Sequence, residues 1–161
     1  MKNSIYKQKT TSSIKGQSLF EVVVAVAVSS LIITAVVALA ASSIQNSSYS
    51  RDKTIASNYV QETLEWLRQE KEKHTGLFRS YVINTTGADL TYCFDSLSWP
   101  VNPGTCSASE NIEGTNFFRE VVIPACYGFC SADIVEVEIK VTWQDSKGSH
   151  IISSSSELST I

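Results

Sequence analysis

The sequence predicts an α+β protein in which one long N-terminal helix precedes and packs on a small antiparallel sheet. Three observations predict it. No glycine or proline interrupts the chain from Gln17 to Lys73, so nothing breaks a helix there. That stretch begins with the charge-free apolar run Val22–Ala41 and then carries apolar residues at helical spacing. Near the C-terminus, Val135, Val137, Ile139, Val141 and Trp143 alternate with Glu136, Glu138, Lys140 and Thr142, the period of a half-buried strand.

The 161 residues suit one domain of ordinary size. Hydrophobic residues make up 43% of the chain, but the apolar run concentrates them, so the core built from the polar, Ser-rich remainder is expected to be small. Charge is uneven too. Four of the 13 basic residues (Lys2, Lys7, Lys9 and Lys15) lie in the first sixteen positions, which hold no acid. The remainder therefore carries nine basic against 16 acidic residues, a formal −7. Lysines before an apolar run place the N-terminus in the cytoplasm. The acidic remainder argues against general nucleic-acid binding.

The apolar run of about 20 residues spans roughly 30 Å as a helix, matching a bilayer core. A secretory signal has a shorter apolar region, which makes an anchor the better reading. Glu21 stands at the head of the run. A carboxylate entering hydrocarbon costs ~2–3 kcal/mol or more unless paired, and so marks a function. Its partner must be a cation at the same depth: Lys15, or a new α-amino group made by cleavage just upstream.

The segment Lys15-Gly16-Gln17-Ser18-Leu19-Phe20-Glu21 resembles the processing site of type IV prepilins. In that family a cytoplasm-facing aspartyl peptidase cuts after a glycine and N-methylates the new first residue. The resemblance implies cleavage between Gly16 and Gln17. Ser18 and Leu19 then fill the second and third mature positions, and Glu21 the fifth, where it pairs with the N-terminal amine of a neighbouring subunit. Pairing neutralises two charges in an apolar setting, where an unpaired charge is expensive. The first mature residue departs from the family pattern: Gln17 stands where phenylalanine is usual. The resemblance extends to Asn58–Arg68 and to the Trp143-Gln144-Asp145-Ser146-Lys147-Gly148 hairpin with its Ser-rich final strand, both similar to PilV-like minor pilins. It implies a pilin-like fold, with the membrane-spanning first half of the helix running into the sheet-packed second half.

Beyond the membrane segment, Ala56, Val60, Thr63, Leu64 and Leu67 form an apolar stripe, with Ile55, Tyr59 and Trp66 alongside and Glu62, Glu65, Arg68 and Glu70 opposite. The stripe predicts the core face of a helix reaching about His74, with Gly76 as its stop signal. Residues 77–83 read as a loop and a first strand. The turn-rich stretch Asn84–Asn116 predicts loops and at most short strands. Phe117–Ile123 is the next strand, ended by Pro124. Ile134–Trp143 pairs with His150–Leu158 through the turn Asp145–Gly148. The expected divisions are a cleaved leader (1–16), a membrane or filament-core helix (17–41), an amphipathic second half (42–76) and an extracytoplasmic β-rich domain (77–161).

The four cysteines, Cys93, Cys106, Cys126 and Cys130, all follow the apolar run, in the compartment where disulfides persist. Their spacing favours two local bonds, Cys93–Cys106 and Cys126–Cys130, out of three possible pairings. Zinc held by four thiolates is the rival reading, disfavoured by the lack of a Cys-x-x-Cys knuckle. His74 and His150, the two histidines, read as surface residues. No nucleophile elbow, phosphate loop or dinucleotide fingerprint is present, so neither a catalytic activity nor a cofactor is expected.

The expectation is a minor subunit of a type IV pilus, processed by prepilin peptidase. Its partners would be other pilin subunits, the inner-membrane assembly platform and the membrane, with no nucleic acid. A pseudopilin of a type II secretion or competence system is the alternative within the class. A tip-exposed adhesin or DNA-uptake subunit is the alternative outside it.

Overall fold

The computed structural model describes residues 19–84, 87–125 and 133–159. Its elements are α1 (Leu19–Lys73), α2 (Thr75–Val82), β1 (Leu90–Cys93), β2 (Asn102–Pro103), β3 (Phe117–Ile123), β4 (Ile134–Asp145) and β5 (Gly148–Ser159). The strands form one antiparallel sheet in the order β2-β1-β3-β4-β5. The fold is thus α+β, as the element order predicts. The chain divides into two compact units, up to Asn46 and from Ser47 onward.

The described part of the first unit is helical from Leu19, and none of it is buried. Leu19 is 81% exposed, Leu31 69% and Leu39 72%. Bare apolar surface of this extent is not a stable solution in water. Three hydroxyls within the apolar run are satisfied internally: Ser29 Oγ donates to the Ala25 carbonyl at 2.7 Å, Ser30 to Ala27 at 2.8 Å and Thr34 to Leu31 at 2.9 Å. A helix that meets its own polar demand in this way tolerates an apolar surrounding.

In the second unit, α1 buries Ala56, Val60, Thr63 and Leu67 of the stripe read from the sequence, with its fifth member, Leu64, partly buried. Thr63 joins that face at little cost, because its hydroxyl donates to the Tyr59 carbonyl at 2.6 Å. The core brings this stripe together with Val121 and Ile123 of β3 and Val137, Ile139, Val141 and Trp143 of β4. The alternation of β4 holds as read: those four residues are 0–1% exposed, while Glu136 and Gln144 face solvent. Each buried Val, Leu or Ile contributes on the order of 1.5–3 kcal/mol. Phe94 is 1% exposed and meets Trp66 of α1 edge-on, with centroids 5.6 Å apart.

One element differs from the sequence reading. Residues 77–83 are not a strand: α2 covers Thr75–Val82, and Gly76 lies within it rather than ending α1. The break falls at His74, whose backbone (φ −132°, ψ 50°) leaves the helical region. Phe78 and Val82 are buried while Ser80 between them is exposed; a strand would set all three on one face, so this pattern selects the helix. Among its described residues, Asn84–Asn116 yields only the short strands β1 and β2, and β3 matches its predicted span.

Candidate functional site

Two regions hold the residues that the sequence singles out. The first is the start of α1. Glu21 lies in its first turn, where a carboxylate meets the positive end of the helix dipole. It is exposed, and it is the only acidic or basic residue between Leu19 and Ser50. The segment is long and apolar enough to cross a membrane. Gly16 and Gln17, the expected cleavage pair, lie outside the described residues.

The second region is the loop closed by a disulfide between Cys93 and Cys106, with Cα atoms 4.9 Å apart. This is the first of the two pairings that the spacing favours. Cys126 and Cys130 lie outside the described residues. Hydrogen bonds order the loop further. Ser107 N donates to Glu110 Oε2 at 2.7 Å and Asn102 Nδ2 to Glu110 Oε1 at 2.8 Å. Donation from Ser107, then from Asn102, holds the Glu110 carboxyl below the usual range. Cys106 N donates to Glu120 Oε1 at 2.9 Å. Beside the disulfide, Cys106, Ser107, Ala108, Phe118, Glu120 and Thr142 line a shallow cavity of about 210 Å³. Its one carboxylate, Glu120, is already engaged by Cys106, so the cavity presents no carboxylate pair.

Trp99, inside the loop, is part of the packing. It stacks on Tyr81 with centroids 4.2 Å apart and donates its indole N–H to Glu70 Oε2 at 3.0 Å. The same oxygen lies 2.8 Å from His74 Nδ1. Trp99 and Glu70 thereby tie the loop to the end of α1.

His74 is a surface residue as expected, with a side chain 57% exposed. His150 is not: its side chain is 22% exposed, with its ring 5.0 Å from Tyr49 and 5.2 Å from Trp143. Its place in the hairpin suggested surface, but β4–β5 pairing sets it opposite Trp143 on the inner face. Its Nε2 lies 2.9 Å from Asp145 Oδ1. The approach is close but falls outside straight hydrogen-bond geometry, and it is an ion pair only when the imidazole is protonated. His150, then the Lys147 N–H, holds the Asp145 carboxyl below its ordinary value.

Arg119 is the residue that sequence reasoning missed. It is 2% exposed, on the inner face of β3 between Phe117 and Val121. Its Nε donates to the Phe94 carbonyl at 3.0 Å, and Nη1 lies 3.5 Å from Glu62 Oε2. Burial pushes the guanidinium below its usual value, opposed chiefly by Glu62. Strand parity is the available signal, since Arg119 shares its phase with Phe117, Val121 and Ile123.

Among the described residues, no three His, Cys, Asp or Glu side chains gather at metal-binding spacing. Fold and site together define a class: an α+β domain continued from one long N-terminal helix, with an exposed apolar first half and a disulfide-closed loop. No family model, curated protein or solved structure matches the chain.

Proposed function

We propose that this chain is a minor subunit of a type IV pilus, made as a prepilin and inserted into the filament through the first half of α1. One observation carries the reading: an apolar helix exposed on all sides, with a single carboxylate at its head, runs without interruption into a folded domain. A bilayer suits such a surface before assembly, and a bundle of like helices suits it afterwards.

In this mechanism the leader is cut between Gly16 and Gln17, and the N-terminus starts in the cytoplasm with the disulfide-bearing domain outside. The helix then leaves the bilayer, exchanging lipid contact for helix contact, and Glu21 sets the register by pairing with the N-terminal amine of a neighbour. The charge is worth about 2.5–3.5 kcal/mol in transfer to hydrocarbon, which makes an unpaired Glu21 a strong penalty on misregistered insertion. The chain's role is structural, with no reaction of its own. A type II secretion pseudopilin would use the same steps.

The test is the Glu21→Val variant in the filament-forming host. Leader removal is expected to continue while the variant's share of sheared filaments falls. Incorporation at the wild-type level would overturn the role of Glu21. N-terminal sequencing of the sheared protein, expected to begin at Gln17, tests the cleavage site independently.

A further inference from the structure

The two edges of the sheet are built differently. At one edge β2 has two residues, one of them Pro103, which offers no backbone N–H. Short strands and proline are the usual means of stopping an edge from pairing further. At the other edge β5 runs for 12 residues, paired with β4 in unbroken register from Gly148 to Ser159. It carries no proline, lysine or bulge, and Ser153–Ser156 offer only small side chains. Among the described residues, no strand pairs with its outer side.

The hairpin determines which backbone groups face outward. With Ser146 and Lys147 as the turn, Asp145 and Gly148 form a hydrogen-bonded pair. Unbroken register then directs the even-numbered residues of β5 to β4. The N–H and C=O groups of Ser149, Ile151, Ser153, Ser155 and Glu157 point away from the sheet. All five of these residues are exposed.

We propose that β5 is a docking edge for an extended strand of a different protein, one that places a lysine or arginine beside Glu157. The charge arrangement selects this occupant. Glu157 lies directly opposite Glu136 across the β4–β5 pair, and both are exposed. Like charges so placed are destabilising, and a cation on an added strand relieves them. A second copy of β5 cannot supply it. Strand pairing sets like face against like face, so Glu157 would meet only Ser149, Ile151, Ser153, Ser155, Glu157 or Ser159. Backbone bonds to five outward residues supply the attachment, and the cation supplies the choice of partner. The inference does not depend on the pilus reading.

The experiment uses the full chain, ¹⁵N-labelled in detergent micelles. The probe is a ten-residue peptide of alternating threonine and valine with one terminal lysine, compared with its glutamate counterpart. The lysine peptide is expected to slow amide exchange at Ser149, Ile151, Ser153, Ser155 and Glu157, and to bind about fivefold more tightly than the glutamate peptide. Ser153→Pro removes one outward donor and leaves the β4 bonds in place, so it should weaken binding about tenfold. Glu157→Lys should reverse the preference between the peptides, and it decides the question if Ser153→Pro fails to fold. Three results would overturn the proposal: no protection by either peptide, protection of these amides in the free monomer, or a sedimenting dimer that protects them without peptide.

Discussion

Replacing both Cys93 and Cys106 by alanine measures how far one cross-link stabilises the second unit. The bond joins residues 13 apart in sequence. In the loop-entropy description, a cross-link of that span removes about 3 kcal/mol of freedom from the unfolded chain. Cys93 is 2% exposed, so losing its sulfur adds up to ~1 kcal/mol of lost packing. The second unit, Ser47–Ile161, has about 115 residues and an unfolding entropy of about 0.24 kcal/mol/K. A loss of about 3–4 kcal/mol therefore lowers Tm by about 12–17 °C. Near-UV circular dichroism of the full chain in detergent reads this unit selectively, because Trp66, Trp99 and Trp143 all lie in it. A fall smaller than about 4 °C would refute the reasoning. It would mean that the loop opens locally, held by Ser107, Glu110 and Glu120, while the sheet survives intact.

Leu67→Ala truncates a side chain 1% exposed on the sheet-facing stripe and should cost about 3 kcal/mol, read as a lower urea midpoint; the exposed Glu65→Ala should change it by less than about 0.5 kcal/mol. Asp145→Asn tests the contact between Asp145 and His150. A carboxyl held below its ordinary 3.8 contributes stability above that pH and loses it as pH falls through the folded-state value. The variant should therefore melt below wild type at pH 5, with the gap closing as pH falls below 3.8 through the folded-state value. A gap unchanged at low pH would remove Asp145 ionisation as the cause. Gly16→Glu should leave residues 1–16 attached, seen by intact mass, and a product still starting at Gln17 would overturn the proposed cleavage bond.

Much of the fold is legible from short-range pattern. Ala56, Val60, Thr63 and Leu67 repeat at helical spacing, and each is buried. Val137 to Trp143 alternate, and each is buried in turn. In both cases one face of a local element meets the core, so periodicity and burial carry the same information. Residues 77–83 show where that correspondence fails. Leu-Phe-Arg-Ser-Tyr-Val-Ile suits either period, and the core took Phe78 and Val82 but left Ser80 exposed, a division that a helix allows and a strand does not.

The N-terminal features rest on sequence alone: four lysines in the first sixteen residues, the Gly16–Gln17 junction and the carboxylate at the head of an apolar run. They are local in chemistry, so no long-range contact is needed to read them. Tertiary structure decided what depends on distant partners. Arg119 became an inner-face residue because Phe94 and Glu62 receive it there. His150 moved inward because strand pairing set it against Trp143 and Tyr49. Strand order left β5 as the open edge and β2 as the blunted one. A sequence states which side chains share a face, but which strand stands last in a sheet depends on pairings between residues far apart in the chain.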